Sequence, residues 1–315
     1  MTIEELEKTI SENIFTTQNF PELEIYVLLN DLCNPICKYL SSENQIRDDI
    51  KNDLKNNIDS FIKKYKNDDN CVFLRQEDLI HDKRGIYQIE ENASFCPFKT
   101  IITKLNVNSK FELNEADKIN GFLFKLINRE KSLYIFSKVY EINMFNIKKN
   151  IIYAEENDFF KKFSKKLIKI ETHIDMIFFE ENIFTDKIKS LEKDFKYENH
   201  EKSIANNMMT NWKKQHLIEY DEVKFKNWIN KHPSYIKKIL AIKKSVIYNK
   251  PKKDLLSLIQ QDSYYKDVIS IKNDHIILQY ETKFKSFLTM MNDERVFSSF
   301  SSTIYLSDDK QIQNK

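Results

Sequence analysis

Glycine is almost absent: the 315 residues hold only Gly85 and Gly121. A dinucleotide-binding turn needs three glycines within six residues, and a P-loop needs two followed by Lys and Ser or Thr, because the backbone must approach phosphate closely. Neither can be built here, so Rossmann-type redox chemistry and P-loop nucleotide hydrolysis are excluded, and no cofactor is expected. Cysteine is scarce as well. Cys33, Cys37, Cys71 and Cys96 form no two-residue knuckle and have no matching histidine pair. They read as reduced thiols filling small apolar spaces, which suits a cytoplasmic location and no metal site. No stretch approaches the ~18 apolar residues of a membrane helix. The start, Met1-Thr2-Ile3-Glu4-Glu5, lacks the basic flank and apolar run of a signal peptide. The expectation is a chain neither embedded in a membrane nor secreted.

What is present is apolar and charged in near balance. Hydrophobic residues make up 41%, with 23 Phe and 15 Tyr, enough to fill one large core or two ordinary ones. Glu22 to Leu29 reads as a strand. Ser42 to Tyr65 reads as a helix with Ile46, Ile50, Leu54, Ile58, Phe61 and Ile62 at spacings of three and four. Further strands are expected at Cys71 to Leu74, Gly85 to Glu90, Ile101 to Val107, Ser132 to Ile142 and Ile151 to Ala154. Leu167 to Glu171 and Ile174 to Phe179 read as consecutive antiparallel strands joined by Thr172-His173. From Thr185 the spacing turns helical, through Val223 to Asn230, Pro233 to Tyr248 and Leu255 to Gln261. A strand follows at His275 to Tyr280 and a short helix at Lys283 to Met291.

These elements predict an α+β protein: a largely antiparallel sheet body with a basic helical insertion or subdomain. Residues 1–70 form an acidic N-terminal region packing on the body, and 71–184 the strand-rich body. Residues 185–265 form the basic helical segment, and 266–315 a C-terminal strand and helix returning to the body.

Charge is distributed unevenly. The first sixty residues carry twelve acidic and five basic side chains, a net charge of −7. Lys224 to Lys253 holds ten lysines and His232 but no Asp or Glu, in a chain with 48 acidic residues. Phe225, Trp228, Tyr235 and Tyr248 are interleaved with them. On a helix opened by Pro233, Ile236, Ile239, Leu240, Ile242, Val246 and Ile247 gather on one arc, and Lys237, Lys238 and Lys244 on the other. Lys243 falls inside the apolar arc and has to snorkel to its rim. Lys250, Lys252 and Lys253 form a basic loop around Pro251. A second acid-free cluster holds Lys161, Lys162, Lys165, Lys166 and Lys169. Lysine in place of arginine favours point-charge contact with phosphate over bidentate reading of bases. The residues this reading assigns to nucleic acid are Lys231, Lys237, Lys238, Lys244, Lys250, Lys252 and Lys253, with Trp228 and Tyr248, and Lys161, Lys162, Lys165 and Lys166. Duplex DNA is the expected polyanion. The blander reading is a solvated basic face balanced by the acidic N-terminal region or by an acidic partner.

One catalytic outline competes. Asp267 lies fourteen residues before Glu281-Thr282-Lys283, which follows an apolar strand. An acid followed by Glu-x-Lys is the pattern of metal-dependent PD-(D/E)xK nucleases, where two carboxylates hold Mg²⁺ and the lysine stabilises the attacking water. The pattern is weakly specific in a chain with so many lysines. The histidines His81, His173, His200, His216, His232 and His275 show no metal spacing. The hydroxyl-rich run from Ser298 to Thr303 has no glycine elbow to present a serine nucleophile.

Three stretches resemble a known family. They are Ser132 to Phe145 (SLYIFSKVYEINMF), Lys169 to Phe195 (KIETHIDMIFFEENIFTDKIKSLEKDF), and Asp293 to Lys310 with Arg295-Val296-Phe297-Ser298-Ser299-Phe300. Together they resemble the KwaB-like family of the bacterial Kiwa anti-phage system, over roughly residues 85 to 310. The resemblance implies a cytoplasmic DNA-binding subunit that self-associates as a homodimer or higher oligomer. It also implies work with a membrane-embedded partner, KwaA, which would recruit it to the inner membrane. It carries no catalytic residues over and does not fix which lysines touch DNA.

Overall fold

The computed structural model describes residues 3–16, 20–66, 74–75, 85–139, 144–145, 153–156, 159–162, 167–298 and 303–306. The chain divides into two compact units, Met1–Phe73 with Arg84–Tyr197, and Leu74–Lys83 with Glu198–Lys315. The protein is α+β, as expected. No helix among the described residues is long and apolar enough to cross a membrane.

The first unit is built on an antiparallel sheet. Its strands run in the order Ile36–Tyr39, Glu22–Leu29, Ile119–Asn128, Lys131–Lys138, Met176–Phe179, Asn182–Thr185 and Tyr87–Glu90. Both faces are covered, which explains why Glu22–Leu29 is nearly continuously apolar. Leu23, Ile25, Val27 and Leu29 pack with helices α1 (Ile3–Asn13) and α2 (Asn44–Lys66), through Leu6, Ile10, Leu54, Ile58 and Phe61. Ile46, expected on the buried stripe of α2, is 45% exposed at the open end of the helix. On the opposite face Phe98 stacks on Phe178 at 5.5 Å and on Phe195 at 5.5 Å.

Two expected strands behave differently. Ile101 to Val107 is not a strand. Pro97 opens a short helix, α3 (Pro97–Ile102), which buries Phe98 and Ile101. The buried Glu91 carboxylate accepts the α3 N–H groups of Phe98 at 2.6 Å and Lys99 at 3.1 Å, satisfying donors that the helix leaves open. Burial pushes the Glu91 carboxyl above its usual range despite these bonds. The segments 167–171 and 174–179 do not pair with each other. Leu167–Ile168 pairs with Met144–Phe145, while Met176–Phe179 pairs with Lys131–Lys138 and Asn182–Thr185. A tight turn at Glu180 and Glu181 makes the Met176–Phe179 to Asn182–Thr185 hairpin, with both residues in the left-handed region (φ 45° and 69°). In this glycine-poor chain such positions fall on ordinary residues. A further ladder joins Tyr153–Glu156 to Phe159–Lys162.

In the second unit, helix α4 (Ile188–Asp194) of the first has been left behind and α5 (Tyr197–Lys214) begins. A three-stranded sheet follows, in the order Ile218–Tyr220, His275–Leu278, Ser270–Lys272, its first pair parallel and its second antiparallel. Around it lie α6 (Glu222–Lys231), α7 (Ser234–Ala241), α8 (Lys252–Gln261), α9 (Ser263–Val268) and α10 (Glu281–Met291). The α10 helix is the centre of the core, with Phe284, Phe287, Leu288, Met290 and Met291 all buried. Its C-terminal side leads to the antiparallel pair Arg295–Ser298 and Thr303–Leu306.

Candidate nucleic-acid interface

The lysine segment begins where an acid stops. Asp221 caps α6, its Oδ1 accepting from Val223 N at 2.9 Å and Lys224 N at 3.0 Å, and these bonds hold its carboxyl below the usual range. Along α6 the pattern separates cleanly: Phe225, Trp228 and Ile229 are buried, while Lys224, Lys226 and Lys231 are exposed. Trp228 stacks on Phe284 of α10 at 5.6 Å, so it is a core residue and not a platform for bases. Tyr248 is also drawn inward, its ring edge-on to Trp212 at 6.4 Å.

The single helix expected from Pro233 to Tyr248 is interrupted. Regular α-helix ends at Ala241, and Ile242–Lys244 forms one tighter 3₁₀ turn. The wheel that sorts these residues therefore fails beyond Ala241. Lys243 is exposed instead of lying in the apolar arc, and Val246, assigned to that arc, is 67% exposed. Ile242 and Ile247 remain buried. The side chain of Lys244 lies outside the described residues.

Within α7, Lys237 is half-buried. Lys238 turns inward: its Nζ lies 3.0 Å from Glu294 Oε1 and 3.1 Å from Oε2. Glu294, itself buried, also accepts from Thr289 Oγ1 at 3.3 Å, and Asn292 Nδ2 donates to the Lys238 carbonyl at 3.0 Å. This ion pair ties α7 to the end of α10 and neutralises a lysine assigned from the sequence to an outward face. Lys250 is exposed, but Lys252 and Lys253 belong to the first turn of α8 and not to a loop; Lys253 is exposed and Lys252 half-buried. Lysines in a first turn oppose the helix dipole, an effect that Asp254 in the same turn offsets. Among the described residues, Lys224, Lys226, Lys231, Lys243, Lys250 and Lys253 carry no ion pair. Of the second lysine cluster, Lys169 is exposed and pairs with Glu171 at 2.7 Å, and of Lys161 and Lys162 the backbone alone is described; Lys165 and Lys166 lie outside the described residues.

The nuclease outline is not assembled as a strand pair. Asp267 is exposed on α9, and Glu281 and Lys283 sit in the first turn of α10. On a strand, residues two apart share a face; on a helix they point apart, so Glu281 and Lys283 diverge. Among the described residues no three His, Cys, Asp or Glu side chains converge to hold a metal ion. Glu281 is engaged otherwise: its Oε1 lies 3.1 Å from His232 Nε2 and accepts from Tyr235 OH at 3.1 Å. Burial and the Glu281 carboxylate push the Tyr235 phenol up to about 12.

A second polar cluster, in the first unit, escaped the sequence reading. Asp175, fully buried, accepts from Lys138 N at 2.6 Å, bonds His173 Nε2 at 2.9 Å and pairs with Lys187. His173 Nδ1 meets Ser137 Oγ at 3.1 Å. The connectivity is that of a Ser-His-Asp relay, but Ser137 has no exposed surface, so no substrate reaches its hydroxyl. Asp175 instead joins three segments of the sheet. The H-x-D spacing of His173 and Asp175 in an extended stretch was the available signal, since alternate residues share a face.

Residues 116–301 match the family model described as Kiwa protein KwaB-like, more than half of the chain. The chain belongs to this family. It is therefore a subunit of Kiwa anti-phage defence, and its partnerships lie within the Kiwa complex. No curated protein and no solved structure matches it. The matched region contains both the Asp175 cluster and the whole lysine segment, and it leaves out α1, α2 and the strands Glu22–Leu29 and Ile36–Tyr39 between them.

Proposed function

We propose that this Kiwa subunit binds nucleic acid, duplex DNA in the first instance, without reading sequence, and that it does so through exposed lysines of the second unit. The observation that carries the reading is the set Lys224, Lys226, Lys231, Lys243, Lys250 and Lys253: exposed, free of ion pairs among the described residues, and drawn from a thirty-residue stretch without one carboxylate. Lys238, Trp228 and Tyr248 drop out of the contact set because each is spent inside the fold. Lys237, Lys252 and Lys244 remain flanking contacts. Point-charge lysines release counterions from phosphate and add no base specificity. The protein works on the cytoplasmic side, self-associates, and is brought to the inner membrane by a KwaA-type partner.

Fluorescence anisotropy with labelled duplexes of unrelated sequence tests the reading. Affinity is expected to be the same for each duplex and to fall steeply with salt. Affinity that differs strongly between sequences, or no binding at low salt, contradicts it. A shift on a sizing column with acidic protein partners but not with DNA would favour protein docking at the same face.

A further inference from the structure

We propose that His232 is a general base for metal-independent cleavage of RNA bound on the lysine surface. The inference rests on the polyanion reading and adds a reaction to it. His232 ends α6, directly after the exposed Lys231, and its side chain is 43% exposed. Its ring is oriented by a carboxylate: Nε2 bonds Glu281 Oε1 at 3.1 Å, and that same oxygen accepts from Tyr235 OH at 3.1 Å. Tyr235 is fixed in turn, its ring edge-on to the buried Phe284 at 5.3 Å. A carboxylate on Nε2 places the proton there and leaves Nδ1 as the acceptor. This is the arrangement of an activated base, with an accessible imidazole, an orienting acid and a third group holding the acid.

The surroundings select the substrate. Lys224 to Lys253 offers cations and no carboxylate of its own, which suits a phosphodiester. No metal-holding cluster exists among the described residues, but RNA brings its own nucleophile in the 2′-hydroxyl. His232 Nδ1 takes the 2′ proton, the 2′ oxygen forms a bond to the adjacent phosphorus, and the bond from phosphorus to the 5′ oxygen breaks. The departing 5′ oxygen, on the far side of phosphorus, takes its proton from solvent water, and the imidazolium gives its own proton back to solvent. The products are a 2′,3′-cyclic phosphate and a 5′-hydroxyl end, with no other reactant consumed. Lys231 stabilises the charge on the phosphate oxygens, and Glu281 acts as a positioning residue.

The test uses the full chain with an end-labelled single-stranded RNA in excess EDTA, alongside the all-deoxy oligonucleotide, with binding measured by anisotropy in the same samples. The expected result is cyclic-phosphate products from RNA and none from the deoxy strand. Cleavage is lost at least ~100-fold in His232→Ala. In Glu281→Gln, kcat falls while KM is kept, which a purely structural role would not produce. RNA that binds but stays intact, or cleavage unchanged in His232→Ala, overturns the proposal and leaves the binding reading standing. Absence of RNA binding overturns the proposal, and a labelled DNA duplex measured in parallel decides the binding reading separately.

Discussion

Asp175 is held by three donors at once, and its titration reports their strength. Burial alone would raise its carboxyl, but His173, Lys187 and the Lys138 N–H outweigh burial and bring it down to about 2. A carboxyl lowered on folding contributes stability that is present above its unfolded value near 3.9 and is lost as pH falls through about 2. Acid unfolding between about pH 4 and 2, followed by circular dichroism, is expected to flatten in Asp175→Asn. At neutral pH, Asp175→Ala should cost about 2 kcal/mol in urea unfolding, because the Lys138 N–H loses its acceptor, while the part-exposed Lys187 and His173 turn to water. A loss below about 0.5 kcal/mol would mean that water replaces the carboxylate. A residue-scale test of strain lies at Asn273-Asp274, the two-residue turn into His275–Leu278, with φ values of 51° and 58°. Asp274→Gly should stabilise the protein by about 1 kcal/mol, since only glycine adopts this conformation without steric cost.

At the scale of elements, the lysine helices are fastened from behind by α10. Phe284 meets Phe225, Trp228 and Tyr235, with ring centroids at 5.6, 5.6 and 5.3 Å. Phe284→Ala should destabilise the second unit by about 4 kcal/mol and lose binding together with folding, seen as coincident shifts in thermal melting and anisotropy. By contrast, Lys238→Met keeps the packed stem and removes a cation that faces Glu294, not solvent, so DNA affinity should stay within about twofold. The acid-free character of the segment was legible in the sequence because charge is a local property, but the buried face of α6 was not, since Trp228 reads as an aromatic among lysines until Phe284 is packed against it. The stopping point of α7 was not, because Ile242, Val246 and Ile247 continue an apolar spacing that the chain abandons after Ala241. Ile101 to Val107 misled for a related reason. Its β-branched residues fit a strand, but the helix is set by Pro97 and by Glu91, whose carboxylate caps it from outside the segment. The Lys238–Glu294 pair joins residues 56 apart in sequence, beyond any local pattern.

For the whole molecule, a formal net charge of only +2 hides a strong segregation. The acidic first sixty residues belong to the first unit and the lysine segment to the second. The family match covers the lysine segment but starts beyond the acidic region, which separates the lysine segment from the N-terminal helices as a matter of sequence. What decides the account is whether these lysines act as counterion-releasing phosphate contacts. The most direct measurement is duplex DNA affinity against salt from 50 to 200 mM for the natural chain and for Lys224→Glu/Lys226→Glu/Lys231→Glu. With about six phosphates contacted, log K should fall against log salt with a slope of about −5, flattening to about −3 or less in the variant, with affinity at low salt reduced at least ~30-fold. A slope near zero, or a variant whose salt curve overlays that of the natural chain, would contradict it.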